Sequence, residues 1–329
     1  MQEQPLLSID NLHVKFSRSE DEVFAVNGVS FAIHANESLG IVGESGSGKS
    51  VTLMSSIGLL RENGKITSGT ANFLGKDLLK LRPRQLEDIR GRDIGVVFQD
   101  PMTSLNPVMR IGDQIMEAML THQYAGRREA FERTIQLLHE MGIPDPKSRF
   151  KNYPHEFSGG MRQRIMIAIA LACEPQLLIA DEPTTALDVT VQMQILALLQ
   201  DLRRKHGMSV VMVTHDFGLA TNFCDKIIVM YGGKIMEMAT TDQFIREATH
   251  PYSIGLKRSI IEVGHKGKEI ISIPKSAKTL TETPAGCPFA ERCTYKTERC
   301  HHEVPELRTF GIDHQIACHH AEEVASYAV

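Results

Sequence analysis

Gly43-Glu44-Ser45-Gly46-Ser47-Gly48-Lys49-Ser50 fits the phosphate-binding pattern G-x-x-x-x-G-K-[ST] at every specified position. Ahead of it, Leu39-Gly40-Ile41-Val42 predicts a short buried parallel strand, and behind it Val51 to Leu60 predicts a helix. That is the strand, loop and helix context the motif requires. Glycines 43, 46 and 48 let the backbone fold back so that the N–H groups of the loop, that of Ser45 among them, point inward at phosphate oxygens before a helix N-terminus. Lys49 then reaches the β and γ phosphates and Ser50 offers its hydroxyl to Mg²⁺. A purine nucleoside triphosphate is the ligand this implies.

Working outward, Leu7 to Phe16 and Val23 to Ile33 nearly alternate apolar and polar residues, with a charged turn at Ser19-Glu20-Asp21-Glu22, which predicts two antiparallel strands. Ile66 to Leu74 and Ile94 to Phe98 read as further strands. Ile111 to Met141 has helical spacing broken at Tyr124-Ala125-Gly126, hence two helices. After a polar, Pro-containing passage from Gly142 to His155, a long helix is expected from Met161 to Cys173, ending before Pro175. Leu177-Leu178-Ile179-Ala180 delivers two carboxylates, Asp181 and Glu182, at a strand end. A carboxylate placed so holds Mg²⁺ in a P-loop enzyme, and a second beside it can polarise the attacking water. Asp188 is expected to cap a helix running to Lys205 and closing at Gly207. Val210 to Val213 makes another buried strand, with His215 two residues beyond it. Strands Ile227 to Tyr231 and Lys234 to Met238 form a hairpin about Gly232-Gly233. A helix after His250-Pro251-Tyr252 is expected to reach about Val263, and Gly264 to Thr283 reads as a polar linker.

Composition narrows the class. With 329 residues the chain has room for one large core and a smaller appendage. A net charge of -4 without a long Lys/Arg run argues against a nucleic-acid partner. No stretch approaches the ~18 uninterrupted apolar residues of a membrane span, and the first residues lack a signal-peptide pattern, so a cytosolic location is expected. Of six cysteines, Cys173 and Cys224 sit singly in apolar helical surroundings as small hydrophobes. Cys287, Cys293, Cys300 and Cys318 crowd the last 43 residues. In a reducing compartment such a cluster suggests a metal or cluster site before disulfides.

Phe157-Ser158-Gly159-Gly160-Met161 resembles the L-S-G-G-Q signature of ABC transporter ATP-binding subunits, with Phe for Leu and Met for Gln. The resemblance covers about residues 6 to 262. It implies an α/β fold: a P-loop core with a parallel sheet and helices, an antiparallel β subdomain and a helical subdomain at about 100 to 173. It divides the chain into a nucleotide-binding domain over 1–262 and a small Cys-rich extension over 263–329. It implies that Ser158, Gly159 and Gly160 close on ATP held by a partner's loop. It also implies that Phe16 stacks on adenine, a core phenylalanine being the other reading. Gln99 becomes the Q-loop glutamine that touches Mg²⁺ and water, with Asp181 and Ser50 as further Mg²⁺ contacts. Glu182 becomes the catalytic base, Asp188 the D-loop aspartate at the dimer interface, and His215 the switch histidine on the γ-phosphate.

Three further stretches, Asp100 to Pro107, Tyr153-Pro154-His155-Glu156 and His250-Pro251-Tyr252, are similar to the oligopeptide and dipeptide importer ATPases, most of all the D-type subunits of bacterial oligopeptide permeases. ATP hydrolysis coupled to peptide import across the bacterial inner membrane is then expected. The partners implied are a second ATPase subunit paired head to tail, two transmembrane permease subunits and an external peptide-binding protein, with this chain peripheral on the cytoplasmic face. The cysteine spacings, five residues to Cys293, six to Cys300 and seventeen to Cys318, lack the close pairs of structural zinc and suit a [4Fe-4S] cluster, as in similar importer subunits. Zinc with mixed ligands from His301, His302, His314, His319 and His320 is the alternative, and disulfides a third. Other functional readings are a soluble ABC-type mechanical switch, a redox-sensing module, and import of nickel or glutathione.

Overall fold

The computed structural model describes residues 4–18, 21–185, 187–258 and 284–327. The chain divides into two compact units, one made of residues 1–33, 38–79 and 214–329, the other of 34–37 and 80–213.

In the first unit an antiparallel sheet is built on the strand Leu7–Arg18, which lies between Asp21–Ile33 and Gly64–Phe73. The expected pairing is present. Asp21 and Glu22, expected in the turn, instead begin the second strand opposite Arg18 and Ser17. Period-two alternation, shifted by an irregularity between Ile9 and Leu12, puts Leu7, Ile9, Leu12 and Val14 inside, each at 2% exposure or less. A second sheet in this unit starts at Ser38–Val42, all of it buried, which runs parallel to Lys226–Tyr231. That strand turns through Gly232 and Gly233, both at positive φ, into Lys234–Thr240, the predicted hairpin. The helix after the phosphate loop spans Lys49–Ser56, shorter than the sequence spacing suggests because Ile57 caps it and Gly58 turns the chain at φ 70.

The C-terminal segment, expected only as a cysteine cluster, continues this sheet. The strand His314–Ile316 pairs antiparallel with Lys234–Thr240, and Arg308–Gly311 pairs on its outer side. A buried carboxylate stitches the addition in place. Glu237 is fully buried and takes N–H donors from Thr249 (2.8 Å) and His250 (3.0 Å) and from the His314 ring (2.8 Å). A buried charge with three donors is satisfied, and removing any one donor exposes its cost. The end of the helix after Pro251 beyond residue 258 and the linker at 264–283 lie outside the described residues.

The second unit has a parallel sheet, Ile94–Val97 beside Leu177–Asp181 beside Ser209–Thr214, in register from Ile94↔Leu177 and Leu177↔Ser209. Leu177–Asp181 and Ser209–Thr214 are buried along their whole length. That is why they read as continuous apolar runs rather than alternating ones. Its helices include Ile111–Thr121 and Arg127–Glu140, the predicted pair. Ile111, Ile115 and Met119 form one buried stripe of the first, four residues apart. Gly112 has no side chain because the Phe150 ring lies where a Cβ would go. The helix Val189–His206 begins at Asp188, whose carboxylate accepts from Val191 N–H at 3.0 Å, and closes on Gly207 at φ 60 with four basic residues in its last turn.

Candidate functional site

The phosphate loop is shaped by two close approaches. A Cβ on Gly48 would collide with the Ala25 carbonyl, and one on Gly43 with the Met230 carbonyl; Gly48 also sits at φ 99, open to glycine. The loop is held from outside by Gly233 N–H on the Ser47 carbonyl at 3.0 Å, and Gly233 in turn takes Asn27 N–H at 2.8 Å. Around Gly46 the space is open, with nothing within 4 Å of a built Cβ.

Lys49 is only 4% exposed, and its ammonium donates to the carbonyls of Gly43 (2.8 Å) and Glu44 (2.9 Å), folded back across the loop. Ser47 is 3% exposed and its Oγ finds no hydrogen-bond partner among the described residues. An orphaned buried hydroxyl beside a buried ammonium in a glycine cradle offers donors to an anion, so these residues fit a bound phosphate chain. Ser50 stands in the first turn of the helix Lys49–Ser56. Ser45 lies on the exposed rim of the loop. Phe16 lies half-buried near the end of its strand, opposite Val23 and Gly64, where it packs over the glycine. His215 is exposed, between the strand Ser209–Thr214 and the helix Phe217–Phe223, whose N-terminus Asp216 caps through Leu219 N–H at 3.1 Å.

The second unit brings together the predicted acidic residues. Asp181 ends its strand at 9% exposure. Glu182 follows in the left-handed region at φ 47, its N–H tied to the Val213 carbonyl at 2.9 Å. A non-glycine residue held at positive φ costs of order 1 kcal/mol and persists only where its surroundings over-determine it. Here the turn swings the carboxylate to meet Gln99, whose Nε2 donates to Glu182 Oε2 at 2.8 Å, while Thr185 Oγ1 donates to the same oxygen at 3.0 Å. Ser158 caps the helix Gly159–Ala170, its Oγ accepting from Met161 N–H at 3.4 Å. The helix therefore starts at the signature, two residues before the predicted Met161, and ends at Ala170. Phe157 is 3% exposed with the Arg149 guanidinium over its ring, so phenylalanine at this signature position is a core anchor. Gly160 admits Val191, whose Cγ1 would lie 2.7 Å from a Cβ. Asp188 is exposed beyond its capping bond.

Cys287, Cys293, Cys300 and Cys318 are free thiols. The predicted iron-sulfur or zinc site is not found in their arrangement: among the described residues no group of three or more His, Cys, Asp or Glu side chains is placed to hold a metal ion. The four are near enough to feel one another. Burial pushes the Cys287 thiol up to about 12 and Cys318 up to about 11, and the neighbouring cysteines push both further in the same direction. Cys293 is raised by the same causes. The segment is held by hydrogen bonding, with Cys287 N–H on the Cys300 carbonyl at 2.8 Å and the thiols of Cys293 and Cys318 accepting N–H from Tyr295 and His320 at 3.4 Å.

Sequence reasoning missed the residues that brace the phosphate loop from the C-terminal side. The Tyr252 hydroxyl accepts Glu44 N–H at 2.9 Å, and Arg292 pairs with the Glu44 carboxylate at 2.8 Å. Tyr252 stood in a noticed motif, but nothing in the spacing tied either residue to a loop more than 200 positions away.

Among known proteins, the family model described as ABC transporter matches residues 26–185, and that described as Oligopeptide/dipeptide transporter, C-terminal region, matches 236–300. The chain is 47% identical to the oligopeptide transport ATP-binding protein OppD of Salmonella typhimurium, over 95% of this chain and 93% of that protein. It is 45% identical to the dipeptide transport ATP-binding protein DppD of Bacillus subtilis, over 99% of this chain and 98% of that one. A solved dimeric post-hydrolysis state of an ATP-binding cassette bound to ADP and Pi is similar with a TM-score of 0.64 at 29% identity, covering 71% of this chain and 98% of that chain. Among the described residues no helix is long and apolar enough to cross a membrane.

Proposed function

The chain belongs to the ABC transporter ATP-binding proteins of the oligopeptide and dipeptide group, and from that membership we propose that it is the ATP-hydrolysing subunit that energises a peptide importer. The observation that supports this most is the Glu182 carboxylate, turned out of a buried strand end by a left-handed residue and held by Gln99 and Thr185. A carboxylate fixed in that way is preorganised to take a proton.

In this reading Lys49 leaves the Gly43 and Glu44 carbonyls for the β and γ phosphate oxygens, and the loop N–H groups, Ser45 and Gly46 included, complete the cradle. Ser50, Asp181 and Gln99 would hold Mg²⁺, which would neutralise phosphate charge when bound. Glu182 accepts the proton of the water that attacks the γ phosphorus, the bond to the β–γ bridging oxygen breaks, and ADP and phosphate leave. His215 steadies the γ-phosphate and Phe16 stacks on the base. Ser158, Gly159, Gly160 and Asp188 serve the ATP of a second ATPase subunit paired head to tail. The domains are 1–262 for nucleotide binding, with the helical subdomain at about 100–173, and 263–329 for the extension. The cysteines of that extension are free thiols, Cys300 buried and Cys287, Cys293 and Cys318 half-buried, and no group among the described residues supports the [4Fe-4S] or zinc centre expected of them.

Two permease subunits and an external peptide-binding protein complete the machine, with this chain peripheral on the cytoplasmic face of the inner membrane. No observation favours the soluble switch, the redox sensor, or nickel or glutathione import. Affinity purification from detergent-solubilised membranes tests the proposal: two polytopic subunits and a second ATPase are expected to co-purify. A lone chain in the soluble fraction with no peptide-dependent turnover would overturn it.

A further inference from the structure

Glu44 is an anomaly in its own loop. The loop gathers N–H groups and a lysine to receive a polyanion, yet its second residue carries a carboxylate. The structure removes that charge from play. Arg292 meets Glu44 in a two-point fork, Nη1 to Oε2 at 2.8 Å and Nη2 to Oε1 at 2.9 Å. The arginine side chain is only 4% exposed, against 30% for the glutamate. Its remaining surface is walled by aromatic rings: the guanidinium lies 5.5 Å from the Tyr231 ring centre and 5.8 Å from that of Phe289, with Nη1 also donating to the Tyr231 hydroxyl at 3.3 Å. Tyr231, Tyr252 and Phe289 pack against one another with ring centres 4.9 to 5.3 Å apart. A guanidinium so enclosed has few choices of position, and the fork fixes the carboxylate's orientation as well as its charge.

The same residue is the anchor of Lys49. The Glu44 carbonyl accepts from the Lys49 ammonium at 2.9 Å and from Ser47 N–H at 3.2 Å, while its own N–H is taken by the fully buried Tyr252 hydroxyl. Side chain, N–H and carbonyl of one loop residue are thus all held, the first two by groups outside the loop.

We propose that Arg292 is a positioning residue for nucleotide binding: by neutralising and orienting Glu44 it sets the affinity of the phosphate loop, and through it the cysteine-bearing C-terminal segment acts on the ATP site. The link to that segment is covalent and short. Arg292 closes the turn Ala290–Arg292 and is followed directly by Cys293, and Cys287 and Cys293 pack against the cluster that contains Phe289, Tyr231 and Tyr252. Any displacement of that segment moves the guanidinium. The inference rests on the ATPase reading, because it concerns the same loop.

Without Arg292 a half-buried carboxylate stands uncompensated in the loop that takes the phosphates, and like charges at short range in a partly buried site repel. Removing the carboxylate as well removes the repulsion. This reversal separates positioning from general structural support. Binding of the Mg²⁺ complex of a non-hydrolysable ATP analogue is measured by titration on the full chain, with thermal melting in parallel, for the wild type, Arg292→Met, Glu44→Gln and the double variant. Arg292→Met is expected to raise Kd about tenfold, and the double variant to return within about threefold of wild type. Glu44→Gln alone is expected to melt earlier, since it leaves a buried guanidinium without its carboxylate. If Arg292→Met does not fold, Arg292→Gln takes its place. The inference is overturned if the folded Arg292 variant binds as the wild type does, or if the double variant binds as weakly as the single one. A wild-type chain that binds no nucleotide overturns the ATPase reading itself.

Discussion

Replacing Glu182 by glutamine is the sharpest perturbation of the proposed chemistry, because the structure says what survives it. Two bonds that orient the side chain, from Gln99 at 2.8 Å and Thr185 at 3.0 Å, end on a single oxygen, Oε2. A glutamine carbonyl oxygen can stand in that place and accept both. The backbone at φ 47, tied to the Val213 carbonyl, is indifferent to the exchange of oxygen for nitrogen at the far end. Folding and nucleotide affinity are therefore expected to stay within a few fold, while the capacity to accept a proton is lost. General bases contribute roughly 10²–10⁴ in rate, about 3 to 5 kcal/mol of barrier. Phosphate release by the assembled transporter is expected to fall by that factor, with ATP retained after rapid desalting. Asparagine at the same position, one methylene shorter, should lose the Gln99 bond as well and bind less tightly. Turnover of Glu182→Gln within about threefold of wild type would refute the assignment of the base.

Gly48→Ala places a Cβ against the Ala25 carbonyl at φ 99, so nucleotide binding should weaken at least about tenfold and the melting temperature should fall by the several degrees that ~1–2 kcal/mol implies; unchanged binding would count against the loop geometry. His250 is 1% exposed and burial pulls its pKa down from 6.5 to about 4. The unfolded chain takes up that proton first as pH falls, so the stability involved is complete above about 6.5 and lost progressively towards 4, up to about 3 kcal/mol. His250→Asn, whose side-chain oxygen can take the Tyr252 N–H that His250 Nδ1 now accepts at 3.1 Å, should flatten the drop in melting temperature between pH 7 and 5. Cys287, raised to about 12, should react with iodoacetamide at about pH 8 at least a hundredfold more slowly in the native chain than in urea, as mass spectrometry of timed samples would show. Its stability contribution is present below the ordinary thiol value of 9.0 and is lost as pH rises towards 12, so alkaline solution should loosen the chain.

The nucleotide loop, the strands that flank it and the acidic strand end were legible because each is a local event. A buried parallel strand must be apolar throughout, as Leu177–Asp181 and Ser209–Thr214 are, and a cap must sit beside its helix, as Asp188 and Gly207 do. Ser158 likewise announces the start of the signature helix from its own position. The left-handed turn at Glu182 carries no such local mark, since glutamate has no preference for positive φ; it is imposed by the neighbouring strand through Val213. The count and spacing of the C-terminal thiols constrain distance along the chain and say nothing of the strands Arg308–Gly311 and His314–Ile316 that lie between Cys300 and Cys318 and extend the sheet.

From the sequence by itself came the class of protein and the loop that suits its ligand, because phosphate recognition is written in glycine spacing and one lysine over eight consecutive positions. The tertiary structure alone decided what controls that loop. His314 and Arg292 reach Glu237 and Glu44 across 77 and 248 positions. Polar contacts over such separations leave no periodicity and no motif; they exist only because folding brings the end of the chain back onto the sheet behind the phosphate loop.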